Sequence, residues 1–206
     1  MSYLALVRHG ESEWNEKGLW TGWTDVPLTS KGKEQARQAA EVLKDIKFDA
    51  SYTSKLERAK HTLEEIEEYW GCTDCPSIED AALNERNYGD FTGKNKWEVQ
   101  KQVGEEKFQK IRRGWDEAIP NGETLKNVYN RVIPYYEKNI LPNIKAGENV
   151  LVVAHGNTDR ALIKYLENIS DDDIAKVELE LGEIYLYQMD NEGKVISKQI
   201  RKVKES

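Results

Sequence analysis

Cysteine is nearly absent from this chain: Cys72 and Cys75, spaced C-x-x-C, are the only two in 206 residues. A zinc site needs two further ligands, and of three histidines two stand in a different setting, at the ends of apolar runs. A redox pair usually opens a helix after a strand, whereas this pair follows Tyr69-Trp70-Gly71 at the end of a helical pattern. Two reduced thiols in a loop are the expectation. No stretch reaches the roughly 18 apolar residues that a spanning helix needs, so no membrane partner is expected. No basic leader precedes an apolar segment, so no secretory signal is visible and the cytoplasm is the expected compartment. Basic excess is missing too. The formal net charge is −7, which argues against a nucleic-acid partner and leaves room for a small anion if basic residues gather in one cleft. Repeats, linkers and low-complexity tracts are also lacking, so one domain over residues 1–206 is the economical reading.

What the chain does have is an alternation of strand-like and helix-like segments, in a composition that is 38% hydrophobic and 33% charged, as in globular proteins with a charged surface. Tyr3 to Val7 reads as a strand, and a Trp- and Gly-rich loop runs from Gly10 to Leu28. Thr29-Ser30 offers an N-cap to a helix with Ala36, Ala39, Ala40 and Leu43 on one face. Phe48 to Tyr52 reads as a second strand, and Ser54 with Glu57 matches a capping box for a helix bearing Leu56, Ala59, Leu63, Ile66 and Trp70. Pro76 to Gly93 reads as irregular. Helices are expected near Lys96–Gln102 and Glu105–Arg113, with Gly114 stopping the second. A longer one is expected from Glu123 to about Ile140, kinked at Pro134. Asn149 to Ala154 reads as a strand followed by a helix carrying Leu162, Ile163 and Leu166. Two final strands, Gly182 to Met189 and Val195 to Val203, flank the turn-rich Asp190-Asn191-Glu192-Gly193. The expected fold class is α/β, a three-layer sandwich with a mostly parallel central sheet.

Two histidines are each followed by glycine at the end of an apolar run: Leu4-Ala5-Leu6-Val7-Arg8-His9-Gly10 and Val150-Leu151-Val152-Val153-Ala154-His155-Gly156. Such runs read as buried parallel strands, and open α/β sheets bind ligands at the carboxyl ends of their strands. If the strands are neighbours, both imidazoles reach one crevice. A neutral imidazole is a good nucleophile near neutrality, Arg8 can grip phosphate oxygens bidentately, and Arg58, in a helix's first turn, can point at the same place. Gly10 lets a backbone approach an anion closely, and Ser12 and Asn15 add donors. This is a layout for phosphoryl chemistry, with one ring carrying the group and the other stabilising it.

Arg8-His9-Gly10-x-Ser12-x-x-Asn15 resembles the signature of the histidine phosphatase superfamily. Thr21-Gly22-Trp23 with Asp25, Tyr52-Thr53-Ser54 with Arg58-Ala59, Leu83-Asn84-Glu85-Arg86 with Tyr88-Gly89, Gly104-Glu105-Glu106 with Arg112-Arg113, and His155-Gly156-Asn157 with Arg160 narrow the likeness to its cofactor-dependent phosphoglycerate mutases. The resemblance implies an isomerase that interconverts 3-phosphoglycerate and 2-phosphoglycerate. His9 would be the phosphohistidine, primed by 2,3-bisphosphoglycerate, with no metal. Arg8, Arg58 and His155 would hold the transferring group, and Glu85 would donate and accept the proton. Tyr88, Lys96, Arg112 and Arg113 would bind the substrate's own phosphate or carboxylate. Gly10, Ser12, Asn15, Thr21, Gly22, Arg86, Gly156 and Asn157 would complete the pocket. A homodimer is a fair expectation from symmetry alone.

The chain departs from that pattern at Asn87, where histidine is usual, and at Thr158-Asp159, where serine-leucine is usual. Asp159 places a negative charge beside an anion pocket, an expected cost to binding. A phosphomonoester phosphatase on the same scaffold, or a non-catalytic phosphoanion-binding module, are the competing readings. Lys96, Arg112 and Arg113 discriminate the first of these, because simple hydrolysis does not need a second anion grip. The basic C-terminal segment with Lys194, Lys198, Arg201, Lys202 and Lys204 is expected to close over the bound anion as a lid.

Overall fold

The computed structural model describes residues 1–72 and 75–203. Strand β1 (Ser2–Arg8) leads through a short helix α1 (Glu13–Glu16) to α2 (Ser30–Leu43). Strand β2 (Ala50–Thr53), helix α3 (Glu57–Tyr69) and strand β3 (Ser77–Glu79) follow. A helical pair, α4 (Lys96–Val103) and α5 (Glu105–Arg113), precedes α6 (Leu125–Tyr135) and α7 (Leu141–Lys145). Then come β4 (Val150–Ala154), α8 (Gly156–Leu166), β5 (Glu183–Met189) and β6 (Val195–Lys202).

The six strands form one sheet in the order β3-β2-β4-β1-β5-β6. The first four are mutually parallel, and β5 and β6 add in antiparallel fashion. Strand periodicity divides the core in two. Leu4, Leu6, Val150 and Val152 pack under α6, α7 and α8, while Ala5, Val7, Leu151 and Val153 pack under α2 and α3. Helices on both faces of a mainly parallel sheet give the expected three layers. A third, separate cluster of Trp20, Val99, Phe108, Ile111 and Ile119 supports the α4–α5 pair.

Several sequence expectations need correction. Phe48 stacks on Trp70 at 5.6 Å rather than opening the second strand, which runs on to Thr53, whose hydroxyl donates to the Val153 carbonyl at 2.8 Å. Ser54 does not cap α3. Leu56 occupies the N-cap position, and Asp25 accepts from the Glu57 amide at 2.9 Å instead. The stretch after Pro76 is not wholly irregular, since Ser77–Glu79 pairs with β2 as a short edge strand. The long helix starts at Leu125, capped reciprocally by Thr124 and Asn127. It continues past Pro134, which has no amide proton for the turn behind it, by widening into a π turn over Tyr136–Ile140. Cys72 and Cys75 are not free thiols: they form a disulfide, with Cα atoms 5.7 Å apart, well within bridging range. The described part of the C-terminal segment, to Val203, is an edge strand, and the end expected to close over the anion lies outside the described residues. Lys198 pairs with Glu167, Arg201 with Asp45 and Lys202 with Glu183 on the sheet's own surface, and Lys194 pairs with Glu192 in the turn. Lys204 lies outside the described residues. No described helix is long and apolar enough to cross a membrane.

Candidate active site

The register of the sheet creates the site. Arg8 pairs with Ala154 across adjacent parallel strands, so the next residue on each is a histidine. The His9 amide donates to the Ala154 carbonyl at 3.0 Å, extending the ladder by one bond. The two imidazole centroids are 5.0 Å apart, both rings buried.

The nitrogens of His9 can be told apart. Nδ1 lies 2.7 Å from the Gly10 carbonyl oxygen, which only accepts, so Nδ1 carries the proton. Nε2 is then the basic nitrogen, and Arg58 Nε donates to it at 3.3 Å. Burial, then the charges of Arg58 and Arg8, holds His9 well below the usual histidine range. The ring is therefore a neutral nucleophile over the physiological span. His155 is pushed down in the same way by burial and by Arg58. Its Nε2 is 2.7 Å from Ser54 Oγ, and its Nδ1 has no partner. Ser54, expected as a cap and quoted within the motif Tyr52-Thr53-Ser54, is thus a site residue.

Arg58 is fixed rather than free: Nη1 donates to the Thr24 carbonyl at 3.1 Å and Nη2 to that of Gly22 at 2.8 Å. Burial lowers it to about 10. Gly22, expected in the pocket, acts here through its carbonyl. Gly10 is likewise bare for another reason: a Cβ there would stand 2.2 Å from the Gly32 carbonyl oxygen, so the glycine lets α2 dock against the loop. Ser12 and Asn15 bond each other in the reciprocal cap of α1, and Thr21 is a buried loop residue. None of these five is among the residues that line the cavity, and neither are His9, Arg58 and His155.

Glu85 arrives from the loop after Leu83. Its Oε1 accepts from the amides of Arg86 at 2.7 Å and Asn157 at 3.2 Å, and from the Asn157 side chain at 3.0 Å. All three fall on one oxygen, which leaves Oε2 for a ligand. The backbone of the same residue is held by Trp23 Nε1 at 2.6 Å and Arg131 Nη2 at 2.9 Å, and Arg131 is itself clamped by Glu123. Arg131 and Glu123 were not legible as site residues, because their contacts join distant segments, whereas Trp23 belongs to the motif Thr21-Gly22-Trp23. Arg86, expected to bind substrate, is committed instead to the carbonyls of Glu123, Ile111 and Glu117 and lies outside the cavity.

Beside this floor lies an open polar cavity of about 70 Å³. Arg8, Glu85, Gly156 and Asn157 line one side, and Tyr88, Lys96, Arg112 and Arg113 another. Burial and the nearby Arg8 and Arg112 lower Lys96 to about 8, and burial raises Tyr88 to about 12. Arg8 Nη1 donates to the Leu179 carbonyl at 3.2 Å, while its buried Nε has no partner. Unpartnered buried donors beside two imidazoles fit a tetrahedral oxyanion. Asp159, expected to set a negative charge beside the anion pocket, lies inside the protein. It is fully buried with neither oxygen paired, and burial pushes its carboxyl well above the usual range.

Residues 4–200 match the model of the histidine phosphatase superfamily, branch 1, and the chain belongs to that family. Within it, the chain is similar to a 2,3-bisphosphoglycerate-dependent phosphoglycerate mutase of Cytophaga hutchinsonii, at 51% identity over 91% of this chain and 88% of the relative. It is also similar to a phosphoglycerate mutase of Schizosaccharomyces pombe, at 46% identity over 96% and 94%. Among solved structures it resembles Bacillus stearothermophilus YhfR, with a TM-score of 0.82 and 28% identity over 95% of this chain and 94% of that one. An alpha-ribazole phosphatase from Shigella flexneri gives a TM-score of 0.79 at 27% identity over 98% and 95%.

Proposed function

We propose that this protein is a phosphoglycerate mutase that interconverts 3-phosphoglycerate and 2-phosphoglycerate through a phosphohistidine at His9. The observation that carries the reading is the pairing of a nucleophilic ring at a strand end with a separate basic rim. The floor, His9, Arg58, His155 and Arg8, suits one phosphoryl group; the rim, Lys96, Arg112 and Arg113, suits a second anion on the same molecule. Relatives at 44% to 51% identity over nearly the whole chain carry the name 2,3-bisphosphoglycerate-dependent phosphoglycerate mutase, which supports the same choice.

Catalysis of phosphoryl transfer is largely positioning and charge stabilisation. With a phosphoryl group on His9 Nε2, the substrate's C2 hydroxyl oxygen attacks phosphorus. The O–P bond forms as the N–P bond breaks, and Glu85 Oε2 takes the hydroxyl proton. Transfer back is the mirror image: His9 Nε2 attacks the phosphorus on the C3 oxygen, the O–P bond breaks, and Glu85 returns its proton to that oxygen. Arg8, Arg58 and His155 stabilise the charge on the moving group in both directions. The priming ligand, 2,3-bisphosphoglycerate, supplies the first phosphoryl group to His9. It would be held by the same floor and rim, whose unpartnered Arg8 Nε and His155 Nδ1 suit an anion.

A coupled assay of 2-phosphoglycerate formation, with and without catalytic bisphosphoglycerate, tests the reading. Primer-stimulated formation is expected. Release of inorganic phosphate from 3-phosphoglycerate without isomerisation would overturn it in favour of a phosphatase.

A further inference from the structure

One carboxylate stands where the rim should be most basic. Glu178 lies in the segment between α8 and β5, lines the cavity, and pairs with Arg113 Nη2 through Oε2 and with Arg112 Nη2 through Oε1 at 4.0 Å. These are the two guanidinium groups that face the second anion in the reading above. The carboxylate and both guanidinium groups keep part of their surface open, with side chains 35%, 35% and 19% exposed for Glu178, Arg112 and Arg113, so a ligand can reach what Glu178 now covers.

The position of this carboxylate is built into the fold. Arg160, buried in α8, donates to the carbonyls of Val177 at 2.9 Å and Ile174 at 2.9 Å on the Glu178 side. The same guanidinium donates to the Arg113 carbonyl at 2.6 Å, so one side chain ties the acid's segment to the arginines' helix end. Tyr185 Oη donates to the Glu178 carbonyl at 3.2 Å, and Arg8 to the next carbonyl, that of Leu179. Arg113 and Arg112 keep the carboxyl below the usual range despite partial burial, so the group remains an anion.

We propose that Glu178 is a tethered competitor for the second-anion subsite, a residue that sets how tightly a two-headed phosphorylated acid is held. A ligand's distal phosphate or carboxylate must displace this carboxylate from Arg112 and Arg113 or share them with it at a repulsive cost. Affinity for doubly anionic ligands is thereby capped, which suits an enzyme whose bound bisphosphate must loosen and turn between two transfers. An anion that fills only the floor does not meet Glu178 and escapes the cap. This inference rests on the mutase reading for its ligand, though not for its charge logic.

Calorimetric titration of the chain carrying His9→Ala, which cannot accept a phosphoryl group, with 2,3-bisphosphoglycerate and, separately, with orthophosphate tests it, comparing Glu178 with Glu178→Gln and Glu178→Ala in that background. Both variants are expected to bind the bisphosphate tighter by on the order of tenfold, because a nearby like charge is removed from a partly desolvated site. Orthophosphate affinity should change less, by about twofold or under, since Glu178 pairs with Arg112 and Arg113 and not with a floor group. In turnover, with His9 in place, KM for 3-phosphoglycerate should fall more than kcat changes. Unchanged or weaker bisphosphate binding in the variants would overturn the proposal and make Glu178 a brace for the arginines, as would the absence of bisphosphate binding in all three forms. The binding difference in that background, with no isomerisation by the wild-type protein, would overturn the mutase reading alone.

Discussion

The floor and the rim of the cavity are made in different ways. The floor stands on the ends of two central strands in register, with ladder bonds up to His9 and core on both faces. The rim stands on the α4–α5 pair, which rests on its own small aromatic cluster and meets the rest of the chain mostly through loops. The floor's His9, Arg58 and His155 are buried, their pKa values displaced first by desolvation; the rim's Arg112 and Arg113 are part-exposed and carry a competing acid. A site divided this way separates chemistry, which needs fixed dry geometry, from substrate choice, which needs access and charge.

Substitutions should respect the division. His155→Ala removes a floor group and should lower kcat by about 10² to 10³ with KM changed only a few-fold, as for loss of one preorganised stabilising group. An equal rise in KM with kcat intact would move His155 to the rim. Arg112→Gln combined with Arg113→Gln should do the reverse, raising KM for 3-phosphoglycerate by roughly 10- to 100-fold, the effect of losing charge-assisted bonds to a bound anion. Hydrolysis of a simple aryl phosphate by the same variant should be nearly unchanged; a matching loss there would show that the rim shapes the floor.

That division also marks what the sequence made legible. The floor was readable because β strands bring together residues at equal depth: two apolar runs each ending in His-Gly become neighbours once β1 and β4 pair in parallel. The pairing itself is long-range, and the resemblance of the motifs carried it. Contacts that reach across other long stretches of chain were not legible. Ser54 reads as a cap until His155, 101 residues away, lies beside it. Arg86, expected in the pocket, has a guanidinium that donates to three backbone carbonyls, which its sequence neighbours do not show. Arg131 sits on an amphipathic helix as an ordinary polar-face residue until its guanidinium meets the Glu85 carbonyl. Glu178 has no local signal at all.

Acidity offers a finer comparison. His9 is held below the usual histidine range, so the floor should keep its nucleophile unprotonated to a pH more acid than the free-residue value of about 6.5. Lys96 is held near 8, so a rim charge is lost as pH rises through that value. The kcat/KM profile should therefore show an acid limb displaced downward and an alkaline limb near 8, the latter moved upward in Lys96→Arg. An alkaline limb that Lys96→Arg leaves in place would assign it elsewhere.

The smallest expected effect concerns stability. Asp159 is buried without a partner and its pKa is raised. The sign follows: the folded state favours the protonated acid, so the stability associated with that proton is present below the unfolded value and lost as pH rises through the folded one. Asp159→Leu should raise unfolding stability at neutral pH by about 1–3 kcal/mol, the usual cost of an unsatisfied buried polar group. Urea denaturation at pH 5 and pH 8 checks this, with a larger gain at the higher pH; a loss at both would mean the carboxyl has a partner such as bound water.

The shared use of one phosphoryl group by two rings is most directly tested by exposing the protein to labelled 2,3-bisphosphoglycerate, quenching in base and mapping the modification. Acid-labile phosphate on Nε2 of His9, absent in His9→Ala and slower to form in His155→Ala, is the expected result. Phosphate on His155, or labelling that survives His9→Ala, would contradict it.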